Sequence, residues 1–253
     1  MKQIPNIITL CNLLAGCLAI IFILQTNESI IIINDNETIL NLPEKITWGA
    51  ICIFIAAGID FMDGFIARLC KAQSELGKQL DSLCDVVSFG VAPGLIMYQL
   101  LRLSYAQQEN GLDISILYLF PSLVLPIAGA YRLARFNIDT RQTYHFIGLP
   151  IPTPALVIAS LPFMLHFNYF NLNHLILNKW ILYAITFVLS FLMLSRLPLM
   201  SLKIEPGGLK PNAVKLLLVF ISICAVLFLK WLAAPVILVI YILLSLFLQR
   251  TKE

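Results

Sequence analysis

Residues 58–94 read GIDFMDGFIARLCKAQSELGKQLDSLCDVVSFGVAPG, four aspartates threaded through apolar sequence. Asp60, Asp63, Gly64, Ala67 and Arg68 stand at i, i+3, i+4, i+7 and i+8, offsets that share one face of a helix. Gly77, Asp81 and Asp85 stand at i, i+4 and i+8 and again share a face. The short connection 69–76 makes the two helices antiparallel neighbours, so the two carboxylate faces converge. Carboxylates facing one another repel unless a cation neutralises them. Hard oxygen ligands in that density suit Mg²⁺, Mn²⁺ or Ca²⁺. Gly64, Ala67 and Gly77 remove bulk from the same faces, and Arg68 adds a guanidinium fork that matches phosphate. Taken singly, two aspartates describe a solvated helix end, and Gly or Ala describe helix packing. Eight such positions in one register describe a site for divalent metal and a phosphate-bearing ligand.

Outward from this stretch, the chain of 253 residues is 59% hydrophobic and 12% charged, against roughly 45–50% apolar and roughly 25% charged for a soluble domain. The apolar residues fall in runs near 7–24, 48–69, 83–103, 114–135, 154–167, 180–200, 213–229 and 233–248. A bilayer crossing needs about 20 such residues, which predicts an all-α polytopic membrane protein of about eight transmembrane helices. The first run lacks a cleavage site followed by a soluble region and reads as the first spanning helix. With the N-terminus in the cytoplasm, 13 of the 17 basic residues collect on the cytoplasmic side, as the positive-inside bias requires. Both termini and the aspartates are then cytoplasmic, and 26–45 forms an outer loop. Six cysteines include no CxxC pair, and the three histidines lack ligand spacing. Charged groups within spans are costly and mark function, which directs attention back to the aspartates.

The pattern D-x2-D-G-x2-A-R-x8-G-x3-D-x3-D, matched by Asp60, Asp63, Gly64, Ala67, Arg68, Gly77, Asp81 and Asp85, resembles that of the CDP-alcohol phosphatidyltransferases. The resemblance implies a six-helix core over about residues 5–200, with two added C-terminal helices inside a single membrane domain spanning 1–253. It implies transfer of a phosphatidyl group from a CDP-linked lipid to an alcohol, with release of CMP and a requirement for Mg²⁺ or Mn²⁺, as one or two ions. By the same resemblance Asp60, Asp63 and Asp81 bind metal, and Asp85 is the general base that also approaches a second metal. Asp60, Gly64, Ala67, Arg68, Ser74 and Gly77 surround the CDP moiety. Pro5-Asn6-Ile7-Ile8-Thr9 resembles the family's PNxxT segment, placing Asn6 and Thr9 at the nucleotide, although Asn6 reads equally well as a helix cap.

Residues 81–93 (DSLCDVVSFGVAP), 130–137 (AYRLARFN) and 146–152 (FIGLPIP) resemble the serine-using branch of that family. Val86 follows the last aspartate, where the glycerophosphate-using branch usually has lysine. The substrates implied are CDP-diacylglycerol and L-serine, in a membrane-embedded homodimer, with no nucleic-acid partner. A serine carboxylate needs a cation. Arg132 and Arg135, at i and i+3 with Asn137 beyond, supply candidates, and Ser88 is a further contact candidate. Either arginine can instead anchor its helix at anionic headgroups. The expected localisation is the cell inner membrane. The alternatives are another acceptor alcohol, glycerol 3-phosphate or inositol, and a cation-coupled transporter, which would also carry intramembrane carboxylates. The chain shows a single charge cluster and no repeated half, unlike many transporters.

Overall fold

A computed structural model describes the chain except for residues 1–3, 26, 34–35, 43–44, 70–73, 108–113, 139–145, 201–208 and 251–253. Among the described residues, helical segments follow one another in the order that the apolar runs predict. α1 (Ile4–Leu24) and α2 (Ile46–Leu69) form an antiparallel pair. Small residues set their closeness. A Cβ on Gly49 would collide with Ile23 and sit 3.0 Å from the Ala19 carbonyl, and Ala15, Ala19 and Ala50 are buried in the same core. Such residues let helices pack where no hydrophobic effect separates protein from lipid. The expected outer loop between the two helices contains a two-stranded antiparallel hairpin, β1 (Asn27–Ile33) with β2 (Asn36–Leu42).

The third helix begins eight residues earlier than its apolar run. α3 (Glu75–Asp85) is capped by Ser74, whose hydroxyl oxygen accepts from the Gly77 N–H at 3.0 Å. Its first turns mix Glu75, Lys78, Gln79 and Ser82 with Leu76, Leu80 and Leu83, so their hydropathy falls below that of a span. α3 continues through a π-helical turn (Val86–Val91) into α4 (Ala92–Ala106), a continuous helix of 32 residues. Pro93 gives the π turn a physical reason. Proline offers no N–H to the carbonyl one turn back and its ring crowds that carbonyl, and widening the turn that precedes it relieves the clash. Gly90 and Gly94 receive Pro126 from the next helix, with a Cβ on Gly94 falling 3.0 Å from its ring.

The fourth apolar run is only partly α-helical. Residues 116–118 and 120–123 form 3-10 turns, and α5 (Val124–Ile138) starts after Pro121. α6 (Pro152–Phe167) and α8 (Lys179–Leu194), joined through the single turn α7 (Asn173–Ile176), have 16 residues each. At about 1.5 Å per residue each is near 24 Å long, short of the roughly 30 Å hydrocarbon layer. α6 tolerates this because α2, α4 and α10 surround it and bury Pro154, Ala155 and 157–163. The run expected to reach residue 200 ends at Leu194. Pro198 cannot continue a helix, and β4 (Pro198–Leu199) pairs instead with β3 (Phe146–Ile147). α9 (Leu209–Leu229) turns at Lys230, with φ +51°, into α10 (Ala233–Arg250). α10 returns to the end of the bundle at which α8 finishes. There the Tyr241 hydroxyl donates to the Met200 carbonyl at 2.8 Å, and the Met200 N–H donates to Ser245 Oγ at 3.2 Å. The outward faces are apolar throughout, as in Phe61, Phe65, Ile127, Phe191 and Phe228. The architecture is that of an all-α polytopic membrane protein.

Candidate active site

The site lies where the first turns of α1, the last turns of α2 and the N-terminal half of α3 meet. Asp60 and Asp63 come from α2 and Asp81 from α3, and one carboxylate oxygen from each lies within 4.8 Å of the others. Asp63 is buried, and the other two are half-buried. The Thr9 hydroxyl lies 2.7 Å from Asp63 Oδ2 and 3.0 Å from the Pro5 carbonyl, so α1 orients that carboxylate. Asp81 Oδ1 is buried with no hydrogen-bond partner among the described residues. A buried carboxylate oxygen left unpaired among two further carboxylates is costly unless a cation completes it. The donor set is all oxygen, the chemistry of Mg²⁺ and Mn²⁺. The residues therefore fit a divalent ion.

A pocket of about 540 Å³ opens beside the triad, lined by Asn6, Thr9, Asp63, Gly64, Ser74, Glu75, Gly77, Lys78, Asp81 and Pro5. Ligand sites commonly enclose roughly 300–1,000 Å³. Of the positions predicted from sequence, Asn6, Thr9, Gly64, Ser74 and Gly77 thus come together at the carboxylates. A Cβ on Gly77 would stand 3.0 Å from both Asn6 Oδ1 and Ser74 Oγ, so glycine is what lets the first turn of α3 reach α1. A Cβ on Gly64 would meet nothing within 4 Å, consistent with its place on the open wall. The side chains of Ala67 and Arg68 lie outside the described residues.

Asp85 sits one turn beyond Asp81, deeper in the bundle and outside the group of three. Its Oδ1 accepts from Asn12 Nδ2 at 3.3 Å. Arg132 on α5 is buried, close enough to interact with the charge of Asp85, and its Nε has no hydrogen-bond partner. Arg135 is half-buried and shares with Arg132 a cavity of about 10 Å³ walled by Tyr131, Phe136 and Met193–Ser195, too small for an amino acid. The other two acceptor candidates hold protein partners. Ser88 is buried and donates to the Asn12 carbonyl at 3.1 Å. Asn137 Nδ2 donates to Ser82 Oγ at 2.8 Å, and its carbonyl accepts from Lys78 Nζ at 3.0 Å. Asn12, Glu75 and Lys78 were not foreseen as site residues. Asn12 left a signal, an amide in the middle of an apolar span. Glu75 and Lys78 left none, since charges near a helix start are ordinary.

The fold and the site together define an integral membrane protein in which three carboxylates that could hold a cation border a pocket of about 540 Å³. Residues 2–192 match the family model described as CDP-alcohol phosphatidyltransferase, and the chain belongs to that family. It is 31% identical over 184 residues to the CDP-diacylglycerol–serine O-phosphatidyltransferase of Bacillus subtilis, covering 71% of this chain and 89% of that protein. It is 42% identical over 112 residues to the protein of the same name from Helicobacter pylori, covering 43% of this chain and 44% of that one. The archaetidylserine synthase of Methanothermobacter thermautotrophicus is 28% identical over 159 residues, covering 62% and 56%.

Proposed function

We propose that this chain transfers the phosphatidyl group of CDP-diacylglycerol to the hydroxyl of L-serine, producing phosphatidylserine and CMP. The observation that carries the reading is the convergence of Asp60, Asp63 and Asp81, two of which, Asp63 and Asp81, line the pocket. Relatives named for the serine reaction, and the segments 81–93, 130–137 and 146–152, support serine as the acceptor.

Asp60, Asp63 and Asp81 would hold a divalent ion, Mg²⁺ or Mn²⁺, and Asp85 would approach a second. A bound ion would supply positive charge against the pyrophosphate. Asn6, Thr9, Gly64, Ser74 and Gly77 accommodate the CDP head, with Ala67 and Arg68 assigned to it by the motif. The N-terminus of α3 opens on the same pocket and brings partial positive charge to phosphate. The acyl chains rest against the apolar outer faces of α2 and α3, where Phe61, Phe65, Leu76 and Leu83 are exposed. Arg132 takes the serine carboxylate, supported by its unpaired Nε beside Asp85. Arg135 assists it, while Ser88 and Asn137 support this wall through their protein partners. Asp85 Oδ2, the oxygen that Asn12 does not engage, accepts the proton of the serine hydroxyl as that oxygen attacks phosphorus directly.

The same reading makes the chain one membrane domain, with a catalytic core over about residues 5–200 and α9 and α10 as an added hairpin. It places the site and both termini on the cytoplasmic side of the inner membrane, in a homodimer. The charge distribution supports the orientation.

The test is release of CMP from CDP-diacylglycerol by the purified protein with Mg²⁺ or Mn²⁺. Serine supports release, while glycerol 3-phosphate or inositol in its place does not. Equal release with either alternative overturns serine as the acceptor. Failure with all three overturns the enzyme reading and returns the carboxylates to a role in cation transport.

A further inference from the structure

Asn12 is fully buried in the middle of α1, where a polar side chain is costly in a membrane span. Its Oδ1 has no hydrogen-bond partner among the described residues. Its Nδ2 donates to Asp85 Oδ1 at 3.3 Å, across 73 positions of sequence. Its main-chain carbonyl accepts from Ser88 Oγ at 3.1 Å. One turn further along the same face of α1, a Cβ on Gly16 would collide with Ser88 Oγ and lie 2.9 Å from Ser88 Cα. α1 therefore holds the segment from Asp85 to Ser88 at both ends: by the Asn12 amide at one and by Ser88 over Gly16 at the other. The segment contains the start of the π turn, where the regular helical pattern is relaxed. A carboxylate there needs an outside contact to fix its orientation. A buried amide that leaves its own oxygen unpaired to donate to one carboxylate favours position over stability.

We propose that Asn12 is a positioning residue for the transfer reaction. Its amide fixes Asp85 Oδ1 and so presents Oδ2 to the acceptor hydroxyl, while Ser88 and Gly16 set the place of Asn12. The proposal rests on Asp85 being the base. A base must come within about 2.6–3.2 Å of the proton it removes, and a misplacement of about 1 Å costs on the order of a hundredfold in rate.

The test is Asn12→Leu, which keeps the branched heavy-atom shape and suits a membrane helix but cannot donate. The expected result is a fall in kcat of about 30- to 100-fold. The KM values for CDP-diacylglycerol and serine, and the half-activating Mg²⁺ concentration, move by less than about two-fold. The thermal unfolding midpoint in detergent does not fall. A kcat within about two-fold of the parent, or a loss of rate matched by a rise in donor KM, overturns the proposal. Ser88→Ala gives a second reading that leaves the Asn12 side chain in place. It lowers kcat by about 3- to 10-fold at unchanged serine KM, whereas a raised serine KM makes Ser88 an acceptor contact and overturns its supporting role. Asp85→Asn separates the two levels. Turnover retained by that variant removes the base assignment itself. Turnover lost there but normal in Asn12→Leu removes only the role of Asn12.

Discussion

The Thr9 hydroxyl stands 2.7 Å from Asp63 Oδ2, and both residues are buried, with Thr9 4% and Asp63 6% exposed. Thr9→Val keeps the shape and removes this contact. A hydrogen bond to a charged group contributes about 1.5–3 kcal/mol, and a buried oxygen left unpaired costs a similar amount. Because the Thr9 proton also has the Pro5 carbonyl within 3.0 Å, the lower half of that range is the better guide. At about 1.4 kcal/mol per factor of ten, the loss corresponds to roughly 10- to 50-fold. Partners that orient metal ligands typically contribute 10- to 100-fold to metal affinity, roughly the same magnitude. The assay is CMP release against Mg²⁺ concentration at saturating CDP-diacylglycerol and serine. The half-activating concentration rises by about 10- to 50-fold, and saturating metal restores most of the maximal rate. Thr9→Ser retains near-parental behaviour. An unchanged metal requirement in Thr9→Val refutes the orientation of Asp63 by α1. A lower rate that metal does not restore, with a lower unfolding temperature, makes the hydroxyl a packing contact instead.

Asp85→Asn abolishes transfer while leaving binding of labelled CDP-diacylglycerol within about two-fold of the parent, and normal turnover sinks the base assignment. Arg132→Lys, which loses the planar fork, raises the serine KM by about tenfold with little change in donor KM, with Arg135→Ala the milder change; equal effects on both substrates argue against carboxylate recognition. Gly16→Ala lowers the unfolding midpoint, since its Cβ meets Ser88, with a cost of about 1–3 kcal/mol. Gly64→Ala, whose Cβ meets nothing within 4 Å, leaves the midpoint unchanged; the reverse order would contradict the packing of α1 on the π turn. Chelation with EDTA stops CMP release and added Mg²⁺ or Mn²⁺ restores it, and activity that survives chelation removes the metal from the reaction.

Much of the fold was legible because the signals are local. Apolar runs report spans directly where lipid replaces water as the solvent, and the i, i+3, i+4 spacing of Asp60, Asp63, Gly64, Gly77, Asp81 and Asp85 defines helix faces without knowledge of any partner. Boundaries failed where tertiary packing decides them. Glu75 and Leu76 fell within the expected connection 69–76, whereas the Ser74 cap starts α3 with them. Likewise, 114–123 looked like helix although it folds as 3-10 turns around Pro121.

By itself the sequence determined the class of protein, the helix faces that carry carboxylates and the chemistry that such faces hold. Only the tertiary structure decided which oxygens converge. Asp60, Asp63 and Asp81 form one group because α2 and α3 both pack on α1, and Asp85 falls a turn deeper, held by Asn12. It also decided that Ser88 and Asn137, read as acceptor contacts, hydrogen-bond to α1 and α3. The physical reason is range. Helical periodicity places neighbours three and four residues apart, whereas the contacts of Thr9 with Asp63, Asn12 with Asp85, and Ser82 with Asn137 span 54, 73 and 55 positions and exist only after the helices have packed.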